Sequence, residues 1–256
     1  MANTVYANKV IEARAKDLLT TKVNTRSLMT VDNELAQEAG MTKTINVYTY
    51  TGAAEEVAAG EGNSTRGSIA YVGTDYTVKM VQQVFDYQDE DFLKDPSIVD
   101  NGVAGATQTM TNKMAADFAA ECAKATLTVA KGASGLSYDN IVDAISTLNV
   151  EDESKLIVLI PNEDKADLRK DEDYKAARMG EVVYNGQVGT IAGLPVVASK
   201  AVSNAYVLSP EAITLFIKKD VEVEQDRDKD TRTNSIYLRS AYLVALTDAT
   251  KICSIK

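Results

Sequence analysis

The run IVDNGVAGATQTMTNKMAADFAAECAKATLTVAK, residues 98–131, decides how this chain is read. Val99, Val103, Ala106, Met110, Met114, Phe118, Cys122, Ala125 and Val129 recur in steps of three and four, the period of a helix. Asp95-Pro96-Ser97 precedes it. Pro96 stops the incoming segment and Ser97 is placed to cap the first turn. Gly132 and Gly135 are expected to end the helix. A helix from Ile98 to Lys131 would span roughly 50 Å. Its other side is mostly Thr, Asn, Gln and Ala. One side should pack on a sheet and the other stay wet, which suits an extended, plate-like subunit.

Upstream, residues 1–31 read as an arm, with Val10, Ile11, Ala15, Leu18 and Leu19 forming an apolar stripe on a short helix. Such an arm is expected to lie across a neighbour rather than on its own chain. Asp32 to Ala39 is expected as a short helix closed by Gly40. Thr44 to Tyr50 reads as a strand, and Ser68 to about Tyr87 as a second extended region. Between them, residues 52–67 form a long tip of small residues. A hairpin of this kind is marginal alone and needs a partner surface. Asp86 to Leu93 reads as an acidic short helix or turn.

Downstream, Ser137 to Leu148 is an amphipathic helix. Lys155 to Ile160 is a continuous apolar strand ended by Pro161, as in a sheet covered on both faces. Asn162 to Arg169 reads as a charged helix, and Val182 to Gly189 as a hairpin turning at Asn185-Gly186. Thr190 to Ser199 is expected as a strand kinked at Gly193-Leu194-Pro195, and Tyr206 to Leu208 as a short strand. Val221 to Glu224 and Ser235 to Leu246 return to β and form the floor for the long helix. The fold class is α+β.

The 256 residues contain no histidine. That excludes Ser-His-Asp and Cys-His catalysis and the commonest zinc sites. A net charge of −10 argues against a general nucleic-acid binder. Cys122 and Cys253 show no metal spacing and read as buried small hydrophobes. The N-terminus has no basic start followed by an apolar run, so synthesis in a reducing compartment is expected. The longest aliphatic run, Leu156 to Ile160, is too short to cross a bilayer. Gly62 to Ser68 has P-loop glycine spacing but lacks its lysine, and strand follows instead of helix. Asp226, Asp228 and Asp230 alternate like a calcium loop, but Thr231 stands where glycine is required and Tyr237 where glutamate is. Paired carboxylates such as Glu55-Glu56 and Asp89-Glu90-Asp91 lie in polar stretches. No cofactor, metal site or catalytic residue is expected.

The order of these segments resembles the major capsid proteins of tailed bacteriophages, the Hong Kong 97 fold. Ala53-Ala54-Glu55-Glu56-Val57-Ala58-Ala59-Gly60-Glu61-Gly62 looks like the family's "A…V.EG" stretch. Phe85 to Pro96 looks like the run into the spine helix, and Gly193-Leu194-Pro195-Val196-Val197 like the "G.PV" strand. Arg239 matches in placement. The resemblance implies an N-terminal arm (1–44), an extended β loop with its lead-in (45–95), and a spine helix of the peripheral domain (96–135). It further implies an α/β axial domain (136–212) and closing peripheral strands (213–256). Glu55, Glu56, Glu61, Gly62 and Arg66 of the extended loop would contact a neighbouring subunit. The implied function is a structural, non-enzymatic one: self-assembly through hexamers and pentamers into an icosahedral shell enclosing phage double-stranded DNA. The shell would assemble in the bacterial host cytoplasm, with scaffolding, portal and decoration proteins as partners, weak non-specific contact with the packaged DNA, and no membrane. Because the chain starts at the arm, scaffolding is expected as a separate protein or an already cleaved leader. Two other readings stand: an encapsulin-like compartment with the same fold, and an α/β enzyme or small-ligand binder using residues 136–212.

Overall fold

The computed structural model describes residues 8–22, 25–37, 39–132, 135–172 and 189–256. The long helix, α3, runs Ile98–Cys122 and follows the short acidic helix α2 (Asp89–Lys94). Its buried side carries Val99, Val103, Ala106, Met110, Met114, Phe118 and Cys122, as the periodicity requires. It ends nine residues earlier than Lys131. Lys124 N–H bonds to Glu121 O and Ala125 N–H to Cys122 O, a tightened last turn. Leu127–Val129 then forms strand β5. The β-branched run Thr126, Thr128, Val129 prefers a pleated surface, and parallel pairing of Leu127 with Cys253 decides it. At the other end Ser97 makes no side-chain cap; Asp95 instead accepts from the Ser97 N–H (3.0 Å) and hydroxyl (2.5 Å).

A four-stranded sheet underlies α3. Its strands are β1 (Thr30–Asp32), β4 (Lys79–Gln88), β10 (Ile213–Arg227) and β11 (Thr233–Leu246), in the order β1-β10-β11-β4. Alternate residues of β11 serve its two faces. Ile236, Leu238, Tyr242 and Val244 join the α3 core. Ala241, Leu243 and Ala245 face the other way and pack with Leu35, Val78 and Phe216. Gly102 lets α3 close onto β4, because a Cβ there would collide with the ring of Phe85.

The helix of the arm, α1, spans Asn8–Lys22 and packs within its own chain, against the expectation. Ile11 and Ala15, one turn apart, are 3% and 0% exposed in the core shared with α3 and β10. Arg14 pairs with Asp100 of α3, and Gln225 of β10 donates to Asn8 at 2.7 Å. Residues 32–37 and 39 form no α-helix. Strand β1 ends at Asp32, whose carboxylate accepts the Glu34 N–H (2.8 Å) and starts a single 3-10 turn, Glu34–Ala36.

The second sheet has six strands in the order β5-β12-β9-β6-β8-β7. These are β12 (Ile252–Ile255), β9 (Ala205–Leu208), β6 (Ile157–Pro161), β8 (Leu194–Ser199) and β7 (Thr190–Ile191), with β5 at one edge. Helix α4 (Tyr138–Leu148) covers one face with Ile141, Ala144, Ile145 and Leu148, and Ser137 caps it through a capping box with Asn140. Leu159, Tyr206, Leu208 and Ile252 on the other face enter the α3 core, so the sheet is covered on both sides. The sheet thus takes β5 and β12 as well as strands from residues 136–212.

The expected kink at 193–195 is a hairpin. Thr190 pairs with Pro195 and Ile191 with Leu194, across Ala192 (φ 50°) and Gly193 (φ 81°). Two consecutive positive φ values make a type I′ turn. The charged helix is shorter than expected, α5 being Lys165–Lys170. The expected Val182–Gly189 hairpin lies outside the described residues, apart from its last position. Cys122 and Cys253 are free and buried, and burial pushes both thiols up.

Candidate functional site

The feature without an intrachain role is the hairpin of β2 (Thr42–Thr51) and β3 (Ser68–Thr77). It pairs in register from Thr42↔Thr77 to Thr51↔Ser68. Tyr48, Tyr71, Tyr50 and Ile69 share one face; Val47 and Val72 lie on the other. Tyr48, Tyr50, Ile69, Tyr71 and Val72 are each 64–70% exposed, so both faces are open. Apolar surface on two open faces is left unburied by this chain, since a two-stranded ribbon has no core of its own. Cross-strand contacts hold its register: Tyr48 and Tyr71 rings at 6.0 Å, and Thr44 donating to Asp75 at 2.5 Å.

The root is fixed. Ile45 and Tyr76 pack on the Leu35–Phe216–Leu243 cluster. Val78 N–H donates to Met41 O at 2.7 Å. Lys79, the first residue of β4, reaches Asp117 of α3 at 2.8 Å. Asp117 is 5% exposed and also receives Lys113 (2.8 Å) and the Tyr242 hydroxyl (3.0 Å). Burial pushes its carboxyl up, but these bonds outweigh burial and hold it below the usual range. One turn on, Glu121 binds Lys124 (2.7 Å) and accepts the Leu246 N–H (3.3 Å) at the end of β11. The hairpin is therefore aimed by the helix and sheet beneath it.

The tip, residues 52–67, is closed from inside. Gly52 and Gly67 face each other under the Tyr50 ring, leaving no room for a Cβ on either. Ala58 to Glu61 turns with Gly60 at φ 94°. The Glu55 carboxylate accepts the Ser64 N–H (2.7 Å), the Ser64 hydroxyl (2.7 Å), the Thr65 N–H (3.0 Å) and the Thr65 hydroxyl. Hydrogen bonds from Thr65, then Ser64, lower its pKa to about 2. The donors a phosphate would need in this glycine-rich loop are thus already taken. Of the five residues expected at this contact, Glu55 turns inward. Glu56, Glu61, Gly62 and Arg66 are exposed on the outside, and no ion pair among the described residues engages their side chains. The tyrosine face escaped the sequence reading, although Tyr48-Thr49-Tyr50 and Ile69-Ala70-Tyr71 alternate plainly.

Among the described residues no group of three or more His, Cys, Asp or Glu is placed to hold a metal ion, and no helix is long and apolar enough to cross a membrane.

The described residues thus comprise a two-stranded ribbon, a long helix on a four-stranded sheet, and a second, six-stranded sheet covered by a helix. The family model described as "Phage capsid protein" matches residues 71–255. The chain belongs to the phage capsid protein family. A relative described as the major capsid protein of Staphylococcus phage phiMR11 is 26% identical over 91% of this chain and 87% of its own length. The structure of Mycobacterium phage Che8 superposes with a TM-score of 0.71 at 16% identity, covering 92% of this chain and 91% of that one. The virus-like particle from Pyrococcus furiosus gives a TM-score of 0.66 at 9% identity, covering 97% of this chain and 98% of that one. This capsid protein has the Hong Kong 97-like fold and a structural role. The tip and β2 lie N-terminal to the span that the family model matches.

Proposed function

We propose that the chain is the shell-forming subunit of a tailed-phage head, joining hexamers and pentamers of an icosahedral capsid around double-stranded DNA. The carrying observation is the hairpin whose two apolar faces are both open. That surface is satisfied only between subunits. In this reading Glu56, Glu61, Gly62 and Arg66 meet a neighbour, while Glu55 orders the tip that presents them. Residues 1–44 act as the arm, 45–95 as the extended loop and lead-in, and 96–135 as spine helix with the strand after it. Residues 136–212 form the axial domain, and 213–256 close the peripheral sheet while lending β12 to the axial one. The protein is non-catalytic. Assembly takes place in the bacterial host cytoplasm with scaffolding, portal and decoration proteins, and DNA is held by weak, non-specific contact consistent with the net charge of −10.

Deletion of residues 52–67 tests this. The expected result is a folded subunit that no longer yields closed particles by negative-stain microscopy; normal shells would remove the hairpin from the contact. The near full-length match to the Pyrococcus furiosus virus-like particle supports a second reading, a cellular compartment. Particles that co-purify with one cargo protein and no DNA would favour it.

A further inference from the structure

Strand β12 follows every other described element in the chain, yet it lies inside the second sheet, between β5 and β9. It pairs parallel with β5, Cys253 with Leu127 and Ile255 with Val129. It pairs antiparallel with β9, Ile252 with Leu208 and Ile255 with Ala205. Its side chains alternate between two cores. Ile252 enters the core under α3, and Cys253 and Ile255 enter the one under α4. All four residues are at most 1% exposed. Among the described residues β5 has no other strand beside it, so β12 alone ties β5 into the sheet. Strand β9 is held independently, by β6 on its far side. The four-stranded sheet under α3 is complete without β12.

Without β12 the second layer has a slot one strand wide. Main-chain N–H and C=O groups of β5 and β9 line its two sides, α4 lies on one face and the α3 core on the other. A row of unpaired main chain beside apolar side chains is a template for an added strand. The ligand such a slot takes is an extended segment with apolar side chains on both faces, which Ile252, Cys253 and Ile255 supply. The lead-in is moored beside it: Thr247 N–H donates to Ala212 O at 2.9 Å, and Ser209 N–H to Lys251 O at 3.0 Å. These bonds shorten the loop that insertion must close. We propose that β12 is a closing strap. The second layer, with β5 at the end of α3, becomes ordered only when the strap enters, whereas α3 and its four-stranded sheet form without it. Resting on the shell reading above, a subunit with an empty slot is kept out of the shell, because its second layer has no fixed surface to offer a neighbour.

Ile252→Asp with Ile255→Asp tests this at full chain length, since a carboxylate on either face of the strap has no partner and empties the slot. Amides of α4 and β9 should then exchange with solvent about 100-fold faster or more than in the unmodified chain, while those of β10 and β11 keep their protection. A peptide of residues 247–256 with the unmodified sequence, added in large excess, should refill the slot and restore protection at α4 and β9. The same peptide carrying both aspartates should not. Unchanged protection at α4 and β9 in the variant overturns the proposal. So does protection lost equally from β10 and β11, which would make the chain one cooperative unit, and so does an unmodified peptide that restores no more than its aspartate form. Particle formation is read separately, by negative-stain microscopy. The variant should give about tenfold fewer closed particles or less, and normal particles from it would overturn the exclusion of open subunits. An unmodified chain that never forms particles would count against the shell reading alone, with the strap decided by the exchange result.

Discussion

Tyr242 of β11 donates its hydroxyl to Asp117 of α3 at 3.0 Å, inside the core that joins helix to sheet. Burial, then the charge of Asp117, pushes the phenol up, so it stays a donor. Lys79 and Lys113, both half-exposed, reach the other oxygen of the same buried carboxylate. The cluster fixes the hairpin root, the helix and the sheet together by charge.

Removing members of this cluster should show that order. Tyr242→Phe should cost about 1 kcal/mol, since the lysines still satisfy Asp117. Asp117→Ala should cost more, about 2–3 kcal/mol, because the buried phenol loses its acceptor. The carboxyl is depressed, so its stabilisation is complete above the ordinary carboxylate range of about 3.9 and is lost as pH falls below it. Urea unfolding of Asp117→Asn and the parent chain should therefore differ at pH 7 and converge on acidification below that range. A gap that widened in acid would contradict the assignment.

Two glycines of α3 should respond with opposite signs. At Gly105 nothing lies within 4 Å of the position a Cβ would take, so Gly105→Ala should stabilise by up to about 1 kcal/mol through helix propensity. Gly102 faces the Phe85 ring, with a Cβ there only 2.8 Å from Cζ. Overpacking costs about 1–3 kcal/mol, which exceeds the propensity gain, so Gly102→Ala should destabilise. Thermal melts of the two variants decide it, and Phe85→Leu should partly rescue Gly102→Ala.

The carboxylate at the tip should matter for order rather than for stability. Glu55 is held at a pKa of about 2, so its bonds to Ser64 and Thr65 are fully present above its ordinary value of 4.5 and fade only as pH falls towards 2. Amide exchange at Ser64 and Thr65 should be protected and show no conformational change with pH between 5 and 8. Glu55→Ala should abolish that protection while leaving the melting of the subunit unchanged. A lowered melting temperature would mean that the tip supports the body.

Local signals in the chain were legible and distant partners were not. The stripe Val99 to Phe118 marks α3 because every buried position lies on one side. Its end at Cys122 depends on Leu127 pairing with Cys253, 126 positions away, which periodicity cannot show. Ile11 and Ala15 were visible as a stripe, but the groove between α3 and β10 that buries them is tertiary. Ala192 takes φ 50°, where an Asn or Asp would have announced the turn. At the tip, the order of residues 53–62 located the loop, yet Glu55 turns inward because its donors sit nine and ten residues later.

The tyrosine face separates assembly from folding. Tyr48 and Tyr71 are 64% and 69% exposed, so replacing either removes little surface already hidden from water. Tyr48→Ser and Tyr71→Ser should change the stability of the unassembled subunit by no more than about 0.5 kcal/mol. The pair also steadies the ribbon, at about 0.2–1 kcal/mol, but the ribbon is joined to the body mainly at Ile45, Tyr76 and Val78. Assembly should respond differently. If a neighbour covers this face, each ring hides apolar area at roughly 25 cal/mol per Å², repeated at every copy of the contact. Small losses per subunit then multiply around a ring, and closed particles should disappear from the double variant while its urea midpoint stays in place. A midpoint that dropped with assembly intact would show that the face serves the chain's own fold.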